Sequence, residues 1–239
     1  MIPKLSYKTR TTEVNSTSEN LGLTYKKQNI KEDNYLTDLF TNLQNKSDLL
    51  RTAINRSKAE SNLDAKDVMR DEKVQALYYL LLGAMHNPNA AISAPAAKLY
   101  DVFIKYGLKM TQKSYMIESS LVESMLEDYE AVDLQADIAA VLGCAELIAH
   151  IETAQNDFKT ANIAWEEAKS KEGLTVSATK IKKEIITFIN DNIVVYLKAM
   201  NLAKNAVYGE LAQNVSQIIN DTNQSVKRRT KMGEEVVAD

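Results

Sequence analysis

Apolar side chains between residues 147 and 168 return at alternating steps of four and three positions. That spacing places them on one stripe of an α-helix, which packs against a neighbouring helix. The stretch contains no proline or glycine, so about six helical turns can form without a break. The polar residues between them, among them Gln155 and Asn156, are predicted to lie on a solvated or shared face. The stripe consists of Leu147, Ile151, Ala154, Phe158, Ala161, Trp165 and Ala168.

A similar stripe runs from Leu36 to Ile54 and predicts the first arm of a helical hairpin over residues 33–86. A break is expected near residue 60, where Asp64 can cap the next helix. That second helix has a broad apolar face ending at Met85. Asn87-Pro88-Asn89 then predicts a turn.

A second hairpin is predicted over residues 144–208. Its first helix is expected to end at Gly173, and a new helix to begin near Ser177. A kink is expected near Gly209. Between the two hairpins, Ser93 suits a helix start and Gly107 a helix end.

The two hairpins can be related by a shift of 111 positions, which places Leu36 on Leu147 and Ile54 on Trp165. One interpretation is an ancient duplication of a helical hairpin. The other is that two unrelated amphipathic helices have been slid into register. The fold class predicted in either case is all-α, a bundle of about seven to nine helices dominated by two long antiparallel hairpins.

Composition supports this class and narrows the function. The 239 residues include only 7 Gly and 3 Pro, which disfavours an all-β fold. The net charge of −3 argues against a general nucleic-acid binder. The single cysteine, Cys144, forms no intramolecular disulfide, and no secretory signal or stable membrane span is recognised, so a cytoplasmic protein is expected. The predicted organisation is a polar arm or short helix over 1–30, one helical domain over 31–226 and a frayed charged tail over 227–239.

Several residues are of types that can form a functional site, but their spacing favours structural roles. Asp67, Arg70 and Asp71 could form an anion or metal site, but their spacing is more typical of a charge-complemented helix start in which Arg70 pairs with Asp67. Glu146 lies four residues before His150 and could supply at most half of a mononuclear metal site. A di-iron site needs two Glu-x-x-His pairs, and neither histidine of this chain has a glutamate three residues before it. Cys144 is expected to be a small buried packing residue.

The remaining candidates are a histidine and a cluster of basic residues. His86 is expected to be a surface or partly buried histidine, and the basic cluster over 227–231 a solvated tail. The sequence therefore predicts no catalytic, cofactor-binding or metal-ligating residue, and no cofactor.

Four short motifs resemble the landmarks of an uncharacterised all-helical family of Bacteroidetes-type bacteria, known only as a domain of unknown function. They are Asp67-Val-Met-Arg70-Asp71, Ser114-Tyr115-Met-Ile-Glu118, Leu142-Gly143 and Asn156-Asp-Phe158. The resemblance covers residues 30 to 228. It departs from the family at Cys144-Ala145-Glu146, where the family is more aromatic, and in its polar N-terminal arm. It implies a helical fold of bacterial origin. It implies no particular activity, because the family has no assigned catalytic or binding residues.

Three hypotheses for function follow. The leading one is a non-enzymatic structural or protein-interaction protein that binds a protein partner or itself. The second is a membrane-active protein that exposes an apolar hairpin, based on residues 76–85 and 185–203. The third is a small-ligand or metal binder that uses polar residues inside the bundle: Asn156, Asn190, Asp191 and Asn192.

Overall fold

The computed structural model describes residues 1–28, 30, 32–170 and 177–236, and these residues form helices and no strand. The all-α prediction is therefore confirmed. Short 3₁₀ turns lie at Leu108–Gln112 and Val132–Leu134, and a π-helical turn at Ile189–Ile193 joins α7 to α8. The helices are α1 Thr11–Lys26, α2 Asn34–Met85, α3 Ala90–Tyr106, α4 Tyr115–Tyr129, α5 Gln135–Ala140, α6 Cys144–Ser170, α7 Ala178–Phe188, α8 Val194–Ala203 and α9 Asn205–Val236.

The helix expected over residues 147–168 is confirmed as the central part of α6. Its stripe residues Ile151, Ala154, Phe158 and Ala161 are buried, as the four-and-three spacing requires. The end predicted at Gly173 lies outside the described residues. The following helix begins at Ser177, whose side chain accepts a hydrogen bond from the Lys180 N–H and caps α7.

The hairpin predicted over residues 33–86 is wrong, because α2 is one uninterrupted helix of 52 residues. Between residues 34 and 82 the chain has neither glycine nor proline, so nothing forces the helix to end. Asp64 caps no helix there; its carboxylate instead accepts a hydrogen bond from the Tyr115 hydroxyl at 3.0 Å.

Other boundaries differ from the predictions by a few residues. The turn over residues 87–89 and the helix end at Gly107, where φ is +70°, are confirmed. However, α3 begins before Ser93, because the Asn89 side chain accepts from the Ala91 N–H and caps the helix earlier. The kink expected near Gly209 is instead a break at Lys204, between α8 and α9.

Contacts divide the chain into two compact units, Met1–Ser57 with Ser170–Asp239, and Lys58–Lys169. The second predicted hairpin, 144–208, is divided between them, with α6 in one and α7 and α8 in the other. That hairpin, the duplication and the single domain over 31–226 stay predictions.

The first unit has its own core, built from the N-terminal half of α2, from α1 and from α7 to α9. Within the arm predicted over 1–30, α1 is an ordered helix with Val14 and Leu21 buried. The tail predicted to fray from residue 227 is helical as far as Val236, and Arg229 pairs with Glu13. The buried residues of this core include Leu36, Phe40, Leu43, Leu50, Ile185, Ile189, Ile193, Leu197, Leu211 and Ile219.

The second unit packs the C-terminal half of α2 with α3 to α6. The Tyr129 hydroxyl is satisfied inside this core, where it donates to the Leu99 carbonyl at 2.9 Å. Among its buried residues are Val74, Leu77, Leu81, Leu99, Phe103, Val122, Met125, Ile138 and Ile151.

Asp33 fixes the start of α2 and supplies a test of the first unit. Its Oδ1 accepts from the Leu36 N–H at 2.9 Å, and its Oδ2 accepts from the hydroxyls of Tyr196 and Tyr208, each at 2.7 Å. Burial raises the pKa of Asp33, but these three donors outweigh burial and leave the pKa below its usual value.

Asp33→Asn is expected to lower the free energy of unfolding by about 1.5–3 kcal/mol at pH 7, because a charged acceptor of two hydroxyls is lost. Asparagine caps a helix as well as aspartate does, so the loss reports the tyrosine bonds rather than the cap. Stability from an acid with a lowered pKa is present at higher pH and lost on acidification. The difference in the free energy of unfolding between wild type and Asp33→Asn should therefore become smaller below about pH 3.9. Urea unfolding measures it; Asp38→Asn, exposed on the same helix, is the control.

Candidate functional site

Arg70 lies in the middle of α2 and its side chain is completely buried. Its Nη2 donates to Asp67 Oδ1 at 2.7 Å and pairs with Glu118 Oε2 at 3.0 Å. Its Nη1 donates to Ser119 Oγ at 2.9 Å and to Gln155 Oε1 at 3.0 Å. The guanidinium carbon lies 3.8 Å from the centre of the Phe158 ring, a cation–π contact. We call these residues, with Asp71, the Arg70 cluster.

Helical spacing explains why the Arg70 cluster assembles. Asp67, Arg70 and Asp71 lie within about one turn of α2 and share one face. Glu118 and Ser119 come from the first turns of α4. Gln155 and Phe158, three residues apart in α6, face the same way. Three helices of the second unit thus surround one guanidinium.

Three carboxylates converge beside the guanidinium. Single oxygens of Asp67, Asp71 and Glu118 lie within 4.8 Å of one another. Glu118 is only 1% exposed. Its Oε1 and the Oδ1 of Asp71 are both buried, and neither receives a hydrogen bond from a nitrogen or hydroxyl donor. Burial, together with hydrogen bonding to Asp71, raises the pKa of Glu118 to about 8. Burial also raises the pKa of Asp67, against the opposing effect of Arg70.

A groove between α4 and α6 lies next to the Arg70 cluster. Its larger compartment, of about 770 Å³, runs past Tyr115, Phe158 and Trp165, and its smaller one, of about 410 Å³, runs past Tyr129 and Ile148. Phe158 belongs to both the groove wall and the Arg70 cluster, and its ring meets that of Tyr115 edge-on at 5.2 Å. The groove and the Arg70 cluster are therefore parts of one site.

A polar bridge crosses this groove. Glu123 and Lys159, which line both compartments, pair at 2.9 Å, and Gln155 Nε2 donates to Glu123 at 3.1 Å. The hydrogen bond with Lys159, and then that with Gln155, lowers the pKa of Glu123. Among the described residues that line the groove, five are glutamates and one is a lysine: Glu123, Glu127, Glu130, Glu152, Glu166 and Lys159. The groove is therefore acidic.

The groove also exposes apolar surface. Met116 is 83% and Ile163 62% exposed, and both line the larger compartment. Trp165, the only tryptophan of the chain, lies beside them. An apolar surface edged by charged groups is typical of a binding surface.

The structure confirms some of the roles predicted for individual residues and contradicts others. The pairing of Arg70 with Asp67 is confirmed, but the helix start assigned to them is wrong, because they lie well inside α2. Cys144 is confirmed as a buried packing residue, and burial raises the pKa of its thiol to about 11. Glu146 and His150 are exposed on α6. Asn190 is buried, but its amide is already bonded to the backbone of Leu5.

Sequence reasoning missed Glu118, Ser119 and Gln155 as partners of Arg70. The prediction for Gln155 was a solvated or shared face, and the structure buries it to 2% exposure. A signal was present in the motifs, since three of the four contribute side chains to the Arg70 cluster or to the groove wall beside it. These side chains are Asp67, Arg70 and Asp71 from the first motif, Tyr115 and Glu118 from the second, and Phe158 from the last.

Fold and site together define an all-helical protein with a buried arginine–carboxylate cluster beneath an acidic groove. Residues 60–225 match the model of DUF6261, a family of unknown function, and the chain belongs to this family. The matched range contains the whole Arg70 cluster and the groove. No curated protein and no solved structure matches the chain. The prediction of an uncharacterised all-helical family is confirmed.

Within the described residues, no single helix combines the length and apolarity needed to cross a membrane, and only the strongly bent pair Val132–Ala140 and Cys144–Ser170 passes that test jointly.

Proposed function

We propose that the protein is a non-enzymatic protein-interaction module that binds a helical segment of a partner in the α4–α6 groove. The observation that carries this proposal is the groove itself, with Met116 and Ile163 exposed over an aromatic wall. Helix recognition commonly inserts apolar side chains from one helix face into such a groove. The Cys144 thiol is buried and its pKa is raised, so it is a poor nucleophile, which agrees with a binding role.

The charge of the groove favours a basic partner. Five glutamates surround it, and Lys159 is engaged with Glu123. A helix with an apolar stripe flanked by lysine or arginine would place apolar side chains against Met116 and Ile163 and its charges near the glutamates. Complementary charge of this kind selects the partner and speeds association.

Trp165 provides a built-in reporter of groove occupancy, since no other tryptophan contributes to the emission. A synthetic amphipathic helix of about 18 residues, with a leucine stripe flanked by lysines, is expected to shift the Trp165 emission with saturation at one peptide per chain. The same peptide with glutamates in place of the lysines should bind at least about tenfold more weakly.

Two matched variants distinguish groove binding from general attraction. Ile163→Asp places a charge in the groove and should abolish the emission change, whereas Ile104→Asp, on the exposed side of α3, should leave it intact. Equal binding by the two variants, or equal binding of the two peptides, would contradict the proposal. If light scattering shows a dimer that Ile163→Asp dissociates, the occupant is a second copy of the chain rather than a basic partner.

We also propose a Bacteroidetes-type bacterial source and a cytoplasmic location. The source is supported by the resemblance of the four motifs. The location is supported by the single unpaired cysteine, since oxidising compartments favour disulfides.

A further inference from the structure

We propose that Asp67, Asp71 and Glu118 bind one divalent cation of the Mg²⁺ or Mn²⁺ class. Asp67 and Asp71 are four residues apart on α2, and Glu118 faces them from α4. Their three nearest oxygens lie within 4.8 Å of one another, a spacing that one ion can span. This inference is independent of the proposed binding of a partner helix.

The buried oxygens without a donor are the second observation. Glu118 is 1% exposed, and neither its Oε1 nor the Oδ1 of Asp71 receives a hydrogen bond from a nitrogen or hydroxyl donor. Leaving a buried carboxylate oxygen unsatisfied costs free energy, so native structures normally supply a partner. A cation between the two carboxylates satisfies both oxygens at once.

The charges also favour a divalent ion. Once all three carboxylates are ionised, as metal binding requires, their negative charge exceeds the charge of the guanidinium by two. Buried charge persists only where it is paired or coordinates a metal, and one divalent ion completes the neutralisation. Arg70 is then a positioning residue, because it holds Asp67 Oδ1 at 2.7 Å and Glu118 Oε2 at 3.0 Å. Glu118 Oε1 is left for the ion.

The donor set selects the class of metal. All three ligands are carboxylate oxygens, which suit hard cations, and the cluster has neither histidine nor cysteine to favour zinc. Three protein ligands on two helices leave the other positions to water. Mg²⁺ and Mn²⁺ accept such sites, whereas Ca²⁺ takes six to eight oxygens in a more flexible cage.

Titration of chelator-treated full-length protein with Mn²⁺ tests the site, with free Mn²⁺ followed by electron paramagnetic resonance. One Mn²⁺ per chain is expected, displaced by excess Mg²⁺. Glu118→Gln and Asp71→Asn preserve side-chain size but remove a ligand charge, and each should weaken binding by at least about tenfold. Glu72→Gln, an exposed carboxylate next to Asp71 on α2, is the matched control and should bind as wild type does.

Circular dichroism of each variant confirms that the helices are retained. Mn²⁺ should also raise the melting temperature of wild type and of Glu72→Gln, but not that of Glu118→Gln. Absence of binding to wild type at about 1 mM Mn²⁺ would overturn the proposal. Equal binding by wild type and Glu118→Gln would overturn it as well.

Discussion

Replacement of Arg70 by methionine is expected to lower the free energy of unfolding by about 3–5 kcal/mol. The substituted side chain is apolar and of similar length, so it fills much of the space but carries no charge. Glu118, which is 1% exposed, then loses the guanidinium with which it pairs, and Gln155 and Ser119 lose the guanidinium that donates to them. Removing one partner of a buried ion pair costs more than the pair contributes, because the other buried groups lose their hydrogen bonds and the Glu118 carboxyl must take up a proton.

Urea unfolding followed by Trp165 emission measures this effect, since Trp165 packs against Phe158 of the Arg70 cluster. Lys66→Met, one turn earlier on α2, removes an ion pair with Asp157 that is partly solvated, and should cost about 1 kcal/mol or less. Arg70→Met combined with Glu118→Met should recover part of the lost stability, because the buried carboxyl without a partner is gone. A cost for Arg70→Met no larger than that for Lys66→Met would refute the assigned role.

Asn190→Ala is expected to cost about 2–4 kcal/mol, the second largest effect. The Asn190 amide lies in the π-helical turn Ile189–Ile193 and is 1% exposed. Its Oδ1 accepts from the Leu5 N–H at 2.7 Å, and its Nδ2 donates to the Leu5 carbonyl at 3.0 Å. Alanine leaves both backbone groups buried without partners, and each such group costs about 1–3 kcal/mol.

Hydrogen exchange locates the consequence of this substitution. The Leu5 amide should lose most of its protection in Asn190→Ala, together with neighbouring amides of the N-terminal segment. Asn192→Ala, in the same turn, should change the free energy of unfolding by about 0.5 kcal/mol or less. If the two variants were equally stable, the Leu5 bonds would contribute nothing to the fold.

Helical periodicity predicted the elements well but not where they end. The stripe along α6 was read correctly, because Ile151 and Phe158 recur at the spacing of one buried face. In α2, the stripe from Leu36 to Ile54 gives way to another leading to Leu77, and this change of stripe was interpreted as a break. The two halves of α2 belong to the cores of different units, so the buried stripe changes while the helix continues.

The candidate site was predictable only where its contacts are local. Arg70 and Asp67 are three residues apart, a spacing that defines neighbours on any helix. Glu118 lies 48 residues from Arg70 and Gln155 lies 85 residues away, and no local pattern specifies such a meeting. Polar residues between apolar ones are read as solvated by default, so a buried polar cluster is the kind of feature that periodicity misses.

The division of the first unit between two distant parts of the chain sets an order of events on the ribosome. Residues 58–169 emerge as a complete compact unit and can form their core while synthesis continues. Residues 1–57 emerge before it, yet twelve of the 23 described buried residues of their core, from Ile181 to Ile219, lie beyond residue 180. Residues 1–57 must therefore keep part of their apolar surface unburied until the helices beyond residue 180 have been made.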